Sequence, residues 1–227
     1  MKETITVTGM VISTMPLAEY DKRLLLLTRE LGKISAFSKG VRRPMSPLMA
    51  SARLFAFGEF ELYEGRSAYT VREFRLKESF DFLSEDMEAM CFASYFAEFA
   101  DYYGREGIDG SGALLLLYAA LRALRSDRMP RDLIRAVYEL KAMALEGEYV
   151  PSVSSRGEPA AEYAWQYVLK ESPGRVFSFC LDERPMKVFL EEVQKQKDQY
   201  IDRPFRSLEV LEETRRLLQP DTKKTTV

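Results

Sequence analysis

The chain has 227 residues, of which 46% are hydrophobic and 30% are charged, so it can fill a core and is not a disordered tail. It contains no histidine, which excludes Ser-His-Asp and Cys-His nucleophiles and any zinc site that needs imidazole. Its two cysteines, Cys91 and Cys180, are far apart, which excludes a zinc ribbon. No apolar run approaches a membrane span and the first 25 residues do not read as a signal peptide, so we expect a cytoplasmic protein without membrane contact.

The first 80 residues have the hydrophobic pattern of short β-strands. We predict five of them: Thr4 to Ser13, Lys22 to Thr28, Lys33 to Lys39, Leu54 to Glu64 and Tyr69 to Ser79. In the first, Ile5, Val7 and Val11 share one face, and Gly9 is placed where a barrel strand could bend. Five strands interrupted by one or two helical turns, at Pro47 to Ala52, are typical of a Greek-key barrel of the OB type.

After Phe80 the hydrophobic period becomes helical. We predict six helices: Glu85 to Tyr103 after a Ser84 cap, Ala113 to Arg125, Pro130 to Gly147, Ala160 to Lys170, Glu183 to Tyr200 after an Asp182 cap, and Ser207 to Leu218. One buried stripe is predicted in the first helix: Phe92, Tyr95, Phe96 and Phe99. Residues 148–159 read as a loop and residues 219–227 as a polar tail. The predicted fold class is α+β, with an OB-type β-barrel domain over residues 1–80 and an all-α helical domain over residues 81–227.

The formal net charge is -2, but the charges are unevenly distributed along the chain. Residues 1–80 hold 13 basic and 9 acidic side chains, a net charge of +4. The remaining 147 residues hold 20 basic and 26 acidic side chains, a net charge of -6. A basic front half and an acidic back half favour an encounter between the front half and a polyanion. The alternative is a chance asymmetry on a solvated surface.

Cationic side chains cluster around the predicted second and third strands. The cluster has seven members: Lys33, Lys39, Arg42 and Arg43 on the third strand and its exit loop, and Lys22, Arg23 and Arg29 on the preceding strand and turn. Gly40 and Pro44 bracket the segment 41–43, so we expect its side chains on an exposed loop. On an OB barrel such cations can track a phosphodiester backbone, and adjacent arginines pair phosphate oxygens in a bidentate way. A solubilising loop is the plainer alternative.

The residue spacings contain no convincing catalytic constellation. The glycine-rich run between residues 104 and 112 resembles a phosphate-cradling loop, but a helix precedes it where such a loop needs a strand, so we interpret it as an inter-helix loop. Carboxylate pairs such as Glu191 and Glu192 diverge by about 100° on a helix and cannot flank one substrate bond. Cys91 is predicted in the core, and Cys180 has no base nearby. We therefore predict no enzyme activity, no catalytic residue, no bound metal and no cofactor.

Two segments of the front half carry a more specific pattern. The first, LLLLTRELGKISAFSKGVRRPMS, has an ELGK turn between two strands and then the run KGVRRPMS. The second, FGEFELYEGRSAYTVREFRLKESF, supplies two more strands, and the helix from Glu85 and the segment RPFRSLEVL after Tyr200 complete the pattern. In this combination the chain resembles the RecO family of bacterial recombination mediators.

The resemblance implies an OB barrel, a helical domain and no catalysis. RecO-like proteins bind single- and double-stranded DNA, anneal complementary strands and bind the acidic C-terminal tail of the single-stranded-DNA-binding protein. With RecR, and sometimes RecF, they help load RecA onto coated single strands, which implies a nucleoid-associated role in DNA repair and recombination. The DNA contacts implied for this chain are Lys33, Lys39, Arg42 and Arg43, with Lys22, Arg23 and Arg53 as weaker candidates.

This sequence departs from the family in one respect. RecO-like proteins usually carry a four-cysteine zinc module in the helical part, but the place after Gly147 holds YVPSVSSRGEP, without cysteine. The chain cannot carry the metal there, and we expect the fold to survive with a shortened loop. The acidic tail needs an apolar pocket rimmed by cations. Arginines that border the second and third helices could form that rim or could be ordinary charges on helix surfaces: Arg122, Arg125, Arg128, Arg131 and Arg135.

Three functional classes stay open at this point. The first is a nucleic-acid-binding mediator without catalysis. The second is a protein-interaction adaptor of the repair machinery, whose DNA surface has weakened along with the zinc module. The third is an enzyme that acts on nucleic acid, which has the least support because the chain has no histidine and no convincing carboxylate site. The salt dependence of DNA binding separates the first two.

Overall fold

The computed structural model describes residues 4–17, 19–66, 68–154 and 156–218. The strands are β1 (Thr4–Pro16), β2 (Lys22–Thr28), β3 (Gly32–Ser38), β4 (Phe57–Tyr63) and β5 (Tyr69–Glu78). The α-helices of this part of the chain are α1 (Met87–Tyr103), α2 (Ser111–Leu124), α3 (Arg131–Leu145), α4 (Pro159–Lys170), α5 (Glu183–Tyr200) and α6 (Arg206–Leu218). Short 3₁₀ helices lie at Met49–Ala52 and Asp81–Ser84. The tail predicted over residues 219–227 lies outside the described residues.

The five strands form a closed barrel in the order β1-β2-β3-β5-β4. β1 pairs with both β2 and β4, so it closes the sheet, and β3 and β5 make a short parallel pair at Ala36 and Tyr69. Alternating apolar residues fill the interior, among them Val7, Leu24 and Phe60. The predicted α+β class, with five strands before the helices, is confirmed.

Gly9 lies in β1 where the strand approaches its neighbour closely, and the bend predicted there stays a prediction. The register of β1 against β2 shifts further along, between Val11 and Ser13. Gly9 allows a close approach of strands, because a Cβ atom there would lie 3.0 Å from the carbonyl oxygen of Leu27 and 3.0 Å from the Thr28 side chain. A side chain at this position would therefore crowd the β2 backbone, which favours glycine.

The helices enclose a second core, which is centred on α1. The predicted stripe is confirmed, since Phe92, Tyr95, Phe96 and Phe99 are fully buried. The predicted cap is two residues too early, because Ser84 ends the preceding 3₁₀ helix. Asp86 caps α1 instead, and its carboxylate accepts a 2.9 Å hydrogen bond from the Ala89 amide.

The barrel packs against the helices through its outer face. Met10, Ile12, Leu27 and Phe55 belong to the helical core rather than to the barrel interior. A boundary near residue 80 therefore separates two chain segments whose side chains share one apolar interface, and the domain division stays a prediction. No α-helix within the described residues is long and apolar enough to cross a membrane.

Side chains of α4 and α5 hold the loop at which the resemblance implies a zinc module. The Trp165 indole donates to the Val150 carbonyl oxygen at 3.0 Å, and the Gln196 amide donates to the Glu148 carbonyl oxygen at 2.8 Å. Arg156 pairs with carboxylates of α5. Neither a cysteine nor a histidine lies in this loop, and no described group of acidic or cysteine side chains is placed to hold a metal. The residues present do not fit a zinc site.

Candidate nucleic-acid interface

The barrel brings the start of β2 and the end of β3 to the same end. In their antiparallel register Lys22 lies opposite Ser38, and Arg23 lies opposite Phe37. Because β3 runs directly into the loop that carries residues 39–43, Lys22 and Arg23 of β2 meet the cations of this loop here, whereas Arg29 and Lys33 lie at the other end of the two strands. We call Arg23, Lys39, Arg42 and Arg43 the cationic rim, and all four are exposed.

Backbone contacts fix the loop after β3 against the loop between β1 and β2. The Gly40 amide donates to the Asp21 carboxylate at 2.7 Å, and the Arg42 amide donates to the Tyr20 carbonyl oxygen at 3.0 Å. The Arg43 guanidinium lies over the Tyr20 ring, 5.2 Å from its centroid. The two loops therefore present one surface with fixed relative positions.

The environments of the rim residues differ in detail. The Arg23 guanidinium donates to the Ser35 hydroxyl at 2.8 Å. Among the described residues, no carboxylate forms an ion pair with Lys39 or Arg43. Val41, which we expected on the loop surface, is buried in the barrel core. Its burial anchors the loop and leaves the neighbouring arginine side chains outside.

The weaker candidates Lys22 and Arg53 lie beside the rim and are partly engaged. The Lys22 ammonium donates to the Ala52 carbonyl oxygen at 3.2 Å and so holds the end of the first 3₁₀ helix. The Arg53 guanidinium pairs with Asp81, an exposed carboxylate whose pKa is lowered chiefly by a hydrogen bond from Ser79 and then by Arg53. An internal partner reduces what either cation can offer to a phosphate.

Lys33 lies at the opposite end of β3 from the rim, roughly 20 Å away at the rise of an extended strand. Its ammonium donates to the Asp101 carbonyl oxygen at 2.6 Å and to the Asp101 carboxylate at 2.7 Å. Asp101 belongs to the last turn of α1, where a cation stabilises the negative end of the helix dipole. The geometry therefore gives Lys33 a role in fixing the barrel to α1.

The turn between β2 and β3 docks onto the glycine-rich loop between α1 and α2. The Lys33 amide donates to the Arg105 carbonyl oxygen at 3.0 Å, and the Gly107 amide donates to the Leu31 carbonyl oxygen at 3.0 Å. Gly32 has a φ of +65°, and a Cβ atom there would lie 2.2 Å from the Arg105 carbonyl oxygen. The glycine-rich run is thus an inter-helix loop, as interpreted from the sequence, and it also hydrogen-bonds to the turn between β2 and β3 of the barrel.

The outer face of β4 and β5 shows the opposite electrostatic arrangement. Each of its cations pairs with a glutamate: Arg72 with Glu61, Arg75 with Glu73, and Lys77 with Glu59. The Lys77 hydrogen bond lowers the pKa of the Glu59 carboxyl. These exposed pairs contribute little to stability, but they cancel positive charge on this face.

The arginines predicted to border one peptide-binding pocket on the helices fall into separate groups. Arg122 and Arg128 line a cleft whose apolar walls include Leu115, Tyr118 and Phe177. Arg125 lies over the Phe82 ring, in an adjoining cleft that Arg122 also lines.

Arg131 and Arg135 lie on α3 and line neither of these two clefts. Arg131 pairs with Asp86 and Glu88, and its hydrogen bond lowers the pKa of the Asp86 carboxyl. Arg135 is half-buried, and its Nε has no hydrogen-bond partner among the described residues. These two arginines are therefore not part of a peptide pocket with the others. The two clefts are lined by Arg122 of α2 and by Arg125 and Arg128 of the turn that follows it.

A closed five-stranded OB-type barrel joined to a helical part defines the structural class of the protein. The sequence matches the family description "Recombination protein O N terminal" over residues 1–80 and "Recombination protein O C terminal" over residues 84–187. The chain therefore belongs to the RecO family, and the resemblance stated from its motifs is confirmed.

Curated relatives of similar sequence carry the name DNA repair protein RecO. The protein from Alkaliphilus metalliredigens is 32% identical over 165 residues, which cover 72% of this chain and 67% of the relative. The protein from Heliobacterium modesticaldum is 35% identical over 76% of this chain and 64% of the relative. Other alignments cover 48–58% of the relative's length, so the chain spans about half to two thirds of many relatives it matches.

Proposed function

We propose that this chain is a DNA-binding recombination mediator of DNA repair, which binds and anneals single strands. With RecR, and sometimes RecF, it would help load RecA onto strands coated by the single-stranded-DNA-binding protein, a role that would place it on the nucleoid. The observation that carries the proposal is the cationic rim, whose loops are fixed by backbone contacts and whose Lys39 and Arg43 have no described carboxylate partner. Membership of the RecO family supports it.

The proposed mechanism is electrostatic and breaks no bonds. Cations that pair with phosphates release condensed counterions, which supplies binding energy independent of base sequence. Annealing brings two polyanions together, so a protein that neutralises phosphates on one strand lowers the repulsion met by the other. The cations predicted from the sequence divide between two roles: Arg23, Lys39, Arg42 and Arg43 bind phosphate with Lys22 and Arg53 beside them, and Lys33 fixes the barrel to α1.

Removing two rim cations is expected to weaken binding and to flatten its salt dependence. For Lys39→Ala/Arg43→Ala, we expect the slope of log affinity against log salt for a single strand to become shallower by about one to two units. The measurement is fluorescence anisotropy of a labelled strand between roughly 50 and 200 mM salt.

Two controls separate this site from other basic positions. Arg75→Ala/Lys77→Ala removes the same charge from the paired face of β4 and β5, and Lys33→Met removes the contact with Asp101. Both should keep the wild-type slope, and Lys33→Met should lower the free energy of unfolding by about 1 kcal/mol. An unchanged slope in the rim variant together with a shallower one in either control would move the DNA site away from the rim.

The cleft beside Arg122 supports a second, protein-binding activity. Its apolar walls include Leu115, which is exposed on a helix whose neighbouring leucines are buried. Arg122 and Arg128 both line it, so the cleft combines an apolar floor with positive charge. An acidic peptide that ends in apolar residues fits this combination, as the tail of the single-stranded-DNA-binding protein does. Binding of the tail alone, without DNA, would support the adaptor alternative.

Arg122→Ala is expected to weaken binding of such an acidic peptide about 3- to 10-fold, because an exposed positive charge at the edge of the cleft is lost. Titration of a labelled peptide measures the effect, and Arg216→Ala on the exposed side of α6 is the matched control. Equal affinity of the two variants would place the peptide elsewhere. Strand annealing on coated DNA, with and without the tail, then shows whether the cleft contributes to mediation.

A further inference from the structure

The cationic rim is bordered by large apolar side chains that the fold leaves in solvent. Met15 is 60% exposed, Leu17 is 55% exposed and Met45 is 94% exposed. All three belong to the end of β1 or to the two loops that meet at the rim. Phosphate binding alone needs only cations. Exposed apolar side chains beside the cations suit a ligand that has an apolar part as well.

Tyr20 stands between these apolar groups and the rim. Its carbonyl oxygen accepts the Arg42 amide, and the next residue, Asp21, accepts the Gly40 amide, so the backbone beside the ring is held. Although the Arg43 guanidinium covers part of the ring, Tyr20 remains 39% exposed. The arrangement places an aromatic face directly beside a cation, as a base lies beside its own phosphate.

Met45 is held in a conformation that methionine rarely adopts. Its φ is +57°, in the left-handed region, at the tip of the loop that carries Arg42 and Arg43. Such backbone outliers cost about 1–3 kcal/mol and persist where the surrounding structure enforces them, often at ligand sites. Here the loop is anchored by the buried Val41, and the strained residue points an apolar side chain into solvent.

We propose that Tyr20 is a base-stacking residue that makes the rim a site for unpaired strands, with Arg43 pairing the adjacent phosphate and Met45 extending the apolar contact. The inference rests on the proposed function, because it assigns the ligand class of the same surface. In a duplex the base faces are stacked inside the helix, so they cannot reach the ring. An unpaired base exposes its face, and stacking on an aromatic side chain is tolerant of sequence.

Three probes of equal length test this assignment: an oligothymidylate of about 15 nucleotides, the same strand with abasic residues in the centre, and a duplex. Tyr20→Ala should lose roughly 5- to 100-fold in affinity for the oligothymidylate. Its affinity for the abasic strand and for the duplex should stay within about twofold of wild type, because their phosphates are unchanged. Tyr20→Trp should retain or improve binding of the intact strand.

Met45→Gly supplies an independent variant whose folding is not in doubt. Glycine adopts a positive φ without strain, so thermal stability should be kept or raised while affinity for the intact strand falls. Equal losses of Tyr20→Ala on the intact and abasic strands, or no loss on either, would overturn the stacking role and leave the proposed function standing. Failure of the wild type to bind any of the three probes would overturn both.

A protein occupant is the competing explanation of the apolar border. If Tyr20→Ala and Met45→Gly leave all three affinities unchanged but alter the oligomeric state or binding of a repair partner, the border serves a protein contact and the stacking role is excluded. Size-exclusion chromatography with light scattering, at the concentrations used for the titrations, reads the oligomeric state directly.

Discussion

Lys197→Met is expected to lower the free energy of unfolding by about 3–5 kcal/mol. The Lys197 ammonium lies 2.9 Å from the Glu139 carboxylate, and the two side chains are 7% and 2% exposed. The Tyr95 hydroxyl donates to the same carboxylate at 2.5 Å, so α1, α3 and α5 meet at one buried charge pair. Burial and the neighbouring Glu139 raise the pKa of Tyr95 far above its usual range, which keeps the phenol protonated as a donor.

The loss arises because methionine leaves a buried carboxylate without its ion-pair partner. Glu139→Gln/Lys197→Met should therefore recover most of it, since the glutamine is neutral and can still accept from Tyr95. Lys195→Met is the matched control: Lys195 is 60% exposed on the same helix, and its loss should change stability by no more than about 0.5 kcal/mol. Urea unfolding followed by circular dichroism measures all three. Similar stabilities for the two lysine variants would mean that the pair is solvated.

Gly32→Ala is expected to lower the free energy of unfolding by about 3 kcal/mol or more. The left-handed backbone penalises any side chain, and the added Cβ would lie 2.2 Å from the Arg105 carbonyl oxygen and 2.9 Å from that of Ile108. The turn must then move away from the glycine-rich loop, which breaks the hydrogen bonds between them. Urea unfolding measures the loss.

The same interface provides two matched glycine controls. Gly107 has a φ of +81°, but a Cβ atom there would meet no described atom within 4 Å beyond its chain neighbours, so Gly107→Ala should cost only about 1 kcal/mol of backbone strain. Gly110→Ala isolates the steric clash from the backbone strain. Its φ of -97° is accessible to any residue, but its Cβ would lie 2.2 Å from the Thr28 carbonyl oxygen. Equal costs for Gly32→Ala and Gly107→Ala would show that the turn and the loop are not in close contact.

Much of the fold follows from local pattern. The strand that begins at Lys22 and ends at Thr28, and the helix from Glu183 to Tyr200, have the predicted bounds, because each has a clear hydrophobic period and a distinct start or stop. Boundaries slip where two signals compete, as at Ser84 and Asp86. Both residue types can cap a helix, and only the paths of the preceding turn and of α1 decide between them.

The candidate site was harder to predict, because electrostatic roles depend on distant partners. Lys33 lies near the start of β3 and Lys39 directly follows its end, and both side chains are positively charged. Yet Lys33 pairs with Asp101, which is 68 residues away in sequence. Arg131 likewise finds Asp86 and Glu88 across a helix pair. The one available signal for Lys33 was its place after the glycine of the turn, which indicates close backbone contact rather than a solvent-facing cation.

The loop of residues 148–158 has a chemical consequence for the cell that makes this protein. A four-thiolate site opens when zinc is scarce or when peroxide oxidises its ligands. In this chain the loop is held by an indole, a carboxamide and a guanidinium, those of Trp165, Gln196 and Arg156. None of these contacts is a metal–thiolate bond, so neither zinc removal nor thiol oxidation breaks them.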